Sequence, residues 1–139
     1  MARRFAQLAA VVFLVAGVAG FFTGDASHLD GGQAGGNFDG VALHLTYLRD
    51  IVNLVVGGAF AYAGWYPRPR GARILVLALG ALLLVLAILG FALSDDDAGT
   101  RSFITLHFPI AMNILDLTAG VLAVLCALGD AAEPAEARA

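Results

Sequence analysis

The sequence predicts an all-α integral membrane protein, a four-transmembrane-helix bundle built from two repeated helical hairpins with both termini in the cytoplasm. The 139 residues are 60% hydrophobic and only 14% charged, with a mean hydropathy of +0.83. This composition lies far from that of soluble domains. The apolar residues fall into four runs long enough to cross a bilayer, and a short motif recurs in the second and fourth of these runs.

The charged residues and the single cysteine exclude several kinds of partner and site. The chain has no lysine and a formal charge of −3. Because its charges are spread over loops and tails, we expect no basic patch and no nucleic-acid partner. Cys126 is the only cysteine, so an internal disulfide and a cysteine-based metal cage are excluded. The length suits one domain without a separate soluble catalytic module.

Four apolar runs define the predicted spans, since a helix needs about 20 residues to cross a hydrocarbon core of about 30 Å. The spans cover about residues 5–22, 41–65, 74–93 and 103–128, within a transmembrane domain of residues 1–128. A Gly-rich polar stretch, 23–40, separates the first two spans, and an acidic turn, 94–102, precedes the fourth. Residues 129–139 are rich in Ala and Glu, and we expect them to form a disordered cytoplasmic tail.

The arginines predict the orientation of the spans. Arg3 and Arg4 precede the first span, and three more arginines lie in the Pro-containing turn 66–73. Arg101 is the only loop arginine on the opposite side. The positive-inside rule therefore places both termini in the cytoplasm, and Trp65 at the inner end of the second span suits an interfacial position.

The second span contains polar residues that are costly in hydrocarbon and need a physical reason. Arg49, Asp50 and Asn53 lie near its middle. At about 100° per residue these three residues and Gly57 fall on one helical face, so they should point at protein rather than at lipid. This face is the candidate site.

The second and fourth spans share a motif that predicts an internal repeat. The segment 50–57 (DIVNLVVG) aligns with the segment 113–120 (NILDLTAG), with Gly57 and Gly120 as the predicted helix-packing positions. The first and third spans agree more weakly, each ending in Gly-Phe. Repeated hairpins of this kind often place a shared site at their interface, and here they would bring the polar residues of both spans to matching depths.

Five polar residues should therefore form one intramembrane cluster: Arg49, Asp50, Asn53, Asn113 and Asp116. Arg49 would bridge one or both carboxylates. With both carboxylates ionised, the cluster keeps a net negative charge. Two interpretations stay open: a network that holds the helices in register, with polar contacts worth about 0.6–2 kcal/mol each, and a proton or ligand site.

Histidines and loop residues are weaker candidates. His44 and His107 lie near the outer face of the repeated spans and could ligate a haem from opposite sides. Each is rotated by about 120–140° from the polar face of its helix, so interfacial anchoring is the preferred interpretation and no cofactor is predicted. The acidic and His residues of 23–40 lack the spacing of a metal site. No nucleophile or metal-ligand constellation with a base appears, so we do not expect an enzyme.

The segments Arg49-Asp50-Ile51-Val52-Asn53 and Met112-Asn113-Ile114-Leu115-Asp116 correspond to H-N-x-x-H and D-N-x-x-H in a known family. The chain thus resembles the small four-helix membrane proteins, abundant in actinobacteria, of domain-of-unknown-function family 4383. The resemblance implies the fold and carries no activity. The family's histidines are replaced here by Arg49, Asn53 and Asp116, whereas Asn113 is kept, so a ligand of those histidines should not be bound in the same way.

We therefore expect a non-enzymatic structural or interaction protein of the bacterial inner membrane, surrounded by lipid and associating with itself or a larger membrane complex. Small residues at four-residue spacing favour association: Gly57, Ala61, Ala119, Ala123 and Ala127. The alternative is a small proton- or ion-coupled transporter or channel that uses Asp50 and Asp116, with Arg49 tuning them. A dry, fully paired network would favour the structural role, and a water-accessible crevice reaching Asp116 would favour transport.

Overall fold

Four helices make up most of the part of the chain that the computed structural model describes, residues 1–23, 37–38, 41–42, 47–93, 102–103, 106–107 and 110–132. The elements in chain order are α1 (Ala2–Thr23), β1 (Asn37–Phe38), β2 (Val41–Ala42), α2 (Tyr47–Trp65), α3 (Pro69–Leu93), β3 (Ser102–Phe103), β4 (Leu106–His107) and α4 (Ile110–Ala132). The prediction of four helices is confirmed. Helices α1, α3 and α4 are long and apolar enough to cross a membrane.

Helix α2 is not among these candidate spans, so the length and apolarity expected of all four helices are found in three of them. The helix is 19 residues long, and Arg49, Asp50 and Asn53 all lie in its first two turns. These side chains lower the hydropathy of a short helix whose other residues are mostly apolar.

Two short antiparallel hairpins precede α2 and α4, and they move the starts of both helices. The predicted second span began at residue 41, but Val41 pairs with Phe38 in a hairpin and α2 begins only at Tyr47. The two residues between the paired positions are Asp39-Gly40, a sequence that favours a tight two-residue turn. The predicted fourth span began at residue 103, which pairs with Leu106 instead.

The remaining helix ends also differ from the predicted spans. Helix α4 begins at Ile110, directly after Pro109 in the sequence, and proline is common at the starts of helices because no N–H group is needed there. Helix α3 begins at Pro69, four residues after α2 ends, because proline suits the first helical position, where no N–H is needed. Helix α4 continues to Ala132, so the first four residues assigned to a disordered tail are helical, and residues 133–139 lie outside the described residues.

The helices pack mainly as two antiparallel pairs, α1 with α2 and α3 with α4. The buried positions of the first pair recur in the second. In α1 and α3 they lie 70 residues apart, as at Phe13 and Leu83 or at Gly20 and Gly90. In α2 and α4 they lie 63 residues apart, as at Val56 and Ala119. Each pair therefore turns the same face of each helix toward the interior.

Close contacts at two glycines repeat in the same way. A Cβ atom added to Gly57 would lie 2.8 Å from the backbone N of Leu14, and one added to Gly120 would lie 3.0 Å from the backbone N of Leu84. Glycine at these positions allows the two helix backbones of each pair to approach closely. Within the first pair, Phe60 of α2 also packs against two phenylalanines of α1, with ring centroids 5.9 Å from Phe5 and 6.0 Å from Phe13.

Polar contacts join the helix ends where the chain begins. The side chain of Arg3 donates hydrogen bonds to the carbonyl oxygens of Gly64 and Trp65, each at 3.3 Å, and Gln7 donates to Gly64 at 3.2 Å. These donors satisfy carbonyl groups that the last turn of α2 leaves without helical partners. The N-terminal amine forms an ion pair with Asp130 near the end of α4, so the beginning of α1 and the ends of α2 and α4 lie together.

We predict that Gly57→Ala destabilises the protein by about 1–3 kcal/mol, because the added methyl group overlaps the backbone of α1 and forces the helices apart. Gly58→Ala is the matched control, since a Cβ at Gly58 has no atom within 4 Å and alanine is the better helix former. Denaturant unfolding in detergent measures both variants. Equal stability of the two variants would contradict the close approach of α1 and α2.

Candidate functional site

The predicted polar residues of α2 lie on its inward face. Arg49, Asp50 and Asn53 are all buried, because positions one and four residues apart lie on the same side of a helix. The apolar residue Ile51, which lies between them in sequence, points outward and is exposed. Helix periodicity alone therefore removes three polar side chains from the outer surface of the helix.

The two polar residues of α4 are buried in the same manner. Asn113 and Asp116 occupy the positions that correspond to Asp50 and Asn53 in the repeat, 63 residues earlier. All five residues of the predicted cluster are therefore interior residues. They lie toward the ends of α2 and α4 that follow the two strand hairpins.

A buried ion pair joins the two helix pairs. Nη2 of Arg49 donates to Oδ2 of Asp116 at 2.5 Å, and each side chain is only 1% exposed. The backbones of α2 and α4 approach each other less closely than those of any other two helices. The long arginine side chain therefore bridges two helices whose backbones make few close approaches.

A glycine in the neighbouring helix makes room for one polar residue in each helix pair. A Cβ atom added to Gly20 of α1 would overlap the carboxylate of Asp50, and one added to Gly90 of α3 would overlap the amide of Asn113. Thus the Asp50 carboxylate lies directly against the α1 backbone, and the Asn113 amide lies against the α3 backbone. The Gly-Phe dipeptides near the ends of the first and third spans were the sequence signal for these two positions, although sequence analysis did not assign them to the site.

The five polar side chains are buried but only partly paired among the described residues. Both carboxylate oxygens of Asp50, both polar atoms of the Asn53 side chain and Oδ1 of Asp116 have no hydrogen-bond partner there. Buried polar atoms without partners cost free energy. The fully paired network expected for a purely structural role is therefore not found within the described residues, and neither is a water-filled crevice that exposes Asp116.

The helix-packing glycines and the other small residues lie at contacts within the chain. Gly57 and Gly120 contact α1 and α3 next to Leu14 and Leu84, away from the polar cluster. The stripe expected to face another protein is turned inward instead: Ala119, Ala123 and Ala127 are buried, as is Gly57, and Ala61 packs against the core. The small residues of this stripe bring helices of one chain together, so they do not support self-association.

The structure brings together arginines that sequence analysis treated as dispersed. Arg3, Arg4, Arg70 and Arg73 line one cavity, so the expectation of no basic patch is wrong, because residues remote in sequence meet at the helix ends. The exclusion of a nucleic-acid partner stays an untested prediction.

The histidine and loop hypotheses fall on residues that the structure does not describe in full. His44 and the acidic residues of the 23–40 loop lie outside the described residues, and His107 is described only as part of strand β4. The haem and loop-metal alternatives are therefore not tested.

Comparison with known proteins identifies one family. A family model described as "Domain of unknown function (DUF4383)" matches residues 3–129, which is nearly the whole chain. This is the family that the motifs in the second and fourth spans indicated. No curated protein and no solved structure matches the chain.

We predict that Arg49→Leu and Asp116→Leu each cost about 3–5 kcal/mol of stability, since each leaves a charge in a dry interior without its partner. The double variant should lose far less stability than the sum of the two single losses, because apolar side chains of similar size replace both charges. Denaturant unfolding of the wild type, the two single variants and the double variant in one detergent gives a double-mutant cycle. Ile51→Leu on the outer face is the control. Additive losses would contradict a direct interaction.

Proposed function

The chain belongs to the DUF4383 family, a domain of unknown function, and on that premise we propose a multi-pass membrane protein with a structural or interaction role and no catalytic activity. Its outward residues support a lipid environment. Leu8, Val55, Ile88 and Leu125, one from each helix, are all more than half exposed. Apolar surface on every side of a helix bundle suits hydrocarbon and would favour aggregation in water.

We include α2 as a fourth span, so that the bundle consists of two repeated helical hairpins. Its 19 residues extend about 28 Å at 1.5 Å per residue, close to the thickness of a hydrocarbon core. Its polar side chains face protein, where charge is tolerated in a membrane. Its burial pattern also matches that of α4, which is apolar enough to span.

We propose that the termini face the cytoplasm of a bacterium and that the protein lies in the inner membrane. Support comes from the arginines before α1 and between α2 and α3, which fit the positive-inside rule. Aromatic residues occur at both ends of the first hairpin: Phe21 stacks on Tyr47 at one end, and Tyr62 stacks on Tyr66 at the other. Such positions suit the two membrane interfaces.

The observation that carries the structural role is the buried ion pair between Arg49 and Asp116. It connects the two hairpins through side chains that solvent does not reach, so it favours one relative position of the hairpins over others. The same burial argues against catalysis at the cluster, because a substrate has no access to these groups. Self-association or docking in a larger complex stays a prediction without structural support from the small-residue stripe.

Transport is the second candidate, and the environment of Asp50 favours it. Its carboxylate is buried against Gly20 and has no hydrogen-bond partner among the described residues. A carboxyl group held in this way inside a membrane is a natural site for binding and releasing a proton. The cluster would then serve one proton or cation at a time.

We predict that four spans place residues 68 and 96 on opposite sides of the membrane. In a Cys126→Ala background, Asp96→Cys should react with a membrane-impermeant maleimide in intact cells, and Arg68→Cys should react only in inverted vesicles. Labelling of Arg68→Cys in intact cells with protection of Asp96→Cys would contradict α2 as a span, because only α1 and α3 of the first three helices would then cross and residue 68 would lie on the outer side.

We predict no proton flux above that of empty vesicles when the full chain is reconstituted in liposomes with a pH-sensitive dye. Asp50→Asn should leave this baseline unchanged, and Asp130→Asn, outside the cluster, is the matched control. A wild-type flux that Asp50→Asn abolishes and Asp130→Asn retains would overturn the structural proposal in favour of transport.

A further inference from the structure

A cavity of about 570 Å³ lies at the end of the helices where the chain begins. Its lining includes Arg3, Arg4, Arg70 and Arg73, together with Met1 and Asp130. Ligand sites for small molecules commonly have volumes of roughly 300–1,000 Å³, so this cavity is large enough for a charged headgroup and its water molecules.

The charge in this cavity is strongly unbalanced. The four arginines and the N-terminal amine supply positive charge, whereas Asp130 is the only carboxylate in the described lining. That carboxylate already forms an ion pair with the amine of Met1. Among the described residues, no carboxylate lies within ion-pair distance of any of the four arginines. Like charges gathered in this way repel one another unless an anion joins them.

The backbone adds to the preference for an anion. Helices α1 and α3 begin at Ala2 and Pro69, next to the lining residues. The first turn of a helix carries the positive end of its dipole. The N–H group of Ala2 already donates to Asp130 at 2.8 Å, and Pro69 has none, so the dipoles rather than these first N–H groups favour an anion. Arg3 is also held in place by the carbonyl groups of Gly64 and Trp65, so one guanidinium group is already ordered.

We propose that this cavity binds a phosphate-bearing anion through its arginines. Guanidinium groups match phosphate geometry by donating two parallel hydrogen bonds. Two sources share this chemistry, the headgroup of an anionic phospholipid and a free phosphate ester of the cytoplasm. The exposed side chains of Trp65 and Tyr66 lie at the same end of the bundle, where aromatic residues accompany headgroups, and basic pockets at cytoplasmic helix ends are typical lipid sites.

The test uses the full chain in detergent. Native mass spectrometry compares retention of dioleoyl phosphatidylglycerol with that of dioleoyl phosphatidylcholine, and calorimetric titration with glycerol 3-phosphate covers the free ester. Arg70→Gln with Arg73→Gln should weaken binding of the anionic ligand by about tenfold or more, since each arginine near a headgroup contributes about a factor of five to ten. The matched control, Arg68→Gln with Arg101→Gln, removes the same charge at two residues outside the described lining of the cavity and should change binding by less than about twofold.

Each outcome either tests the proposal or identifies the source of the phosphate group. Preferential retention of phosphatidylglycerol without binding of glycerol 3-phosphate assigns the site to lipid, whereas binding of glycerol 3-phosphate that displaces the lipid assigns it to a free ester. Absence of both, or an equal loss in the two double variants, overturns the proposal. Asp130→Asn covers the case in which the arginine variant fails to fold: it should strengthen anion binding, which no folding defect can do, and unchanged or weaker binding would also overturn the proposal.

Discussion

The buried ion pair between Arg49 and Asp116 is the constraint on which the arrangement of the two helix pairs depends. Each pair is held together by its own close contacts, with glycines that allow backbones to meet and phenylalanines that fill the first pair. Between the pairs, α2 approaches α3, and α1 approaches α4 and α3, whereas the backbones of α2 and α4 make few close approaches and the arginine side chain bridges them. Removing a buried charge from its partner is costly, so the ion pair opposes any displacement of one helix pair that separates Arg49 from Asp116.

The repeat explains the location of the cluster, and the departures from the repeat explain its chemistry. Position 49 in the first pair corresponds to Met112 in the second, and Asn53 corresponds to Asp116. The ion pair thus joins one position of the first repeat to a different position of the second. The reciprocal positions carry Met112 and Asn53, which have no charge. Two similar halves therefore form an asymmetric site, in which the ion pair of Arg49 with Asp116 has no counterpart at the reciprocal positions, while Asp50 and Asn113 occupy equivalent places against Gly20 and Gly90.

The sequence predicted features that depend on a single helix, and it did not predict features that depend on how several helices pack together. Helical periodicity predicted that Arg49, Asp50 and Asn53 face inward, and the repeated motif extended this prediction to α4. The strand hairpins were missed because strands of two residues are too short to show an alternating pattern, although the dipeptide Asp39-Gly40 favours a turn between the first two strands. The arginine-lined cavity joins residues 3 and 73, which no local pattern connects. That the carboxylate of Asp50 has no hydrogen-bond partner among the described residues could not be predicted either, because hydrogen bonds depend on distances that only the packed helices define.

The measurement that tests this account most directly is the separation of Arg49 and Asp116 in a bilayer. Solid-state NMR of the chain in liposomes, with ¹⁵N in arginine side chains and ¹³C at aspartate Cγ, reports dipolar contacts between the two groups. A direct charge-assisted hydrogen bond places these nuclei within about 4 Å of each other. We expect such a contact in the wild type and its loss in Asp116→Asn. A spectrum without this contact, or one that Asp116→Asn leaves unchanged, would show that the two helix pairs are joined in some other way.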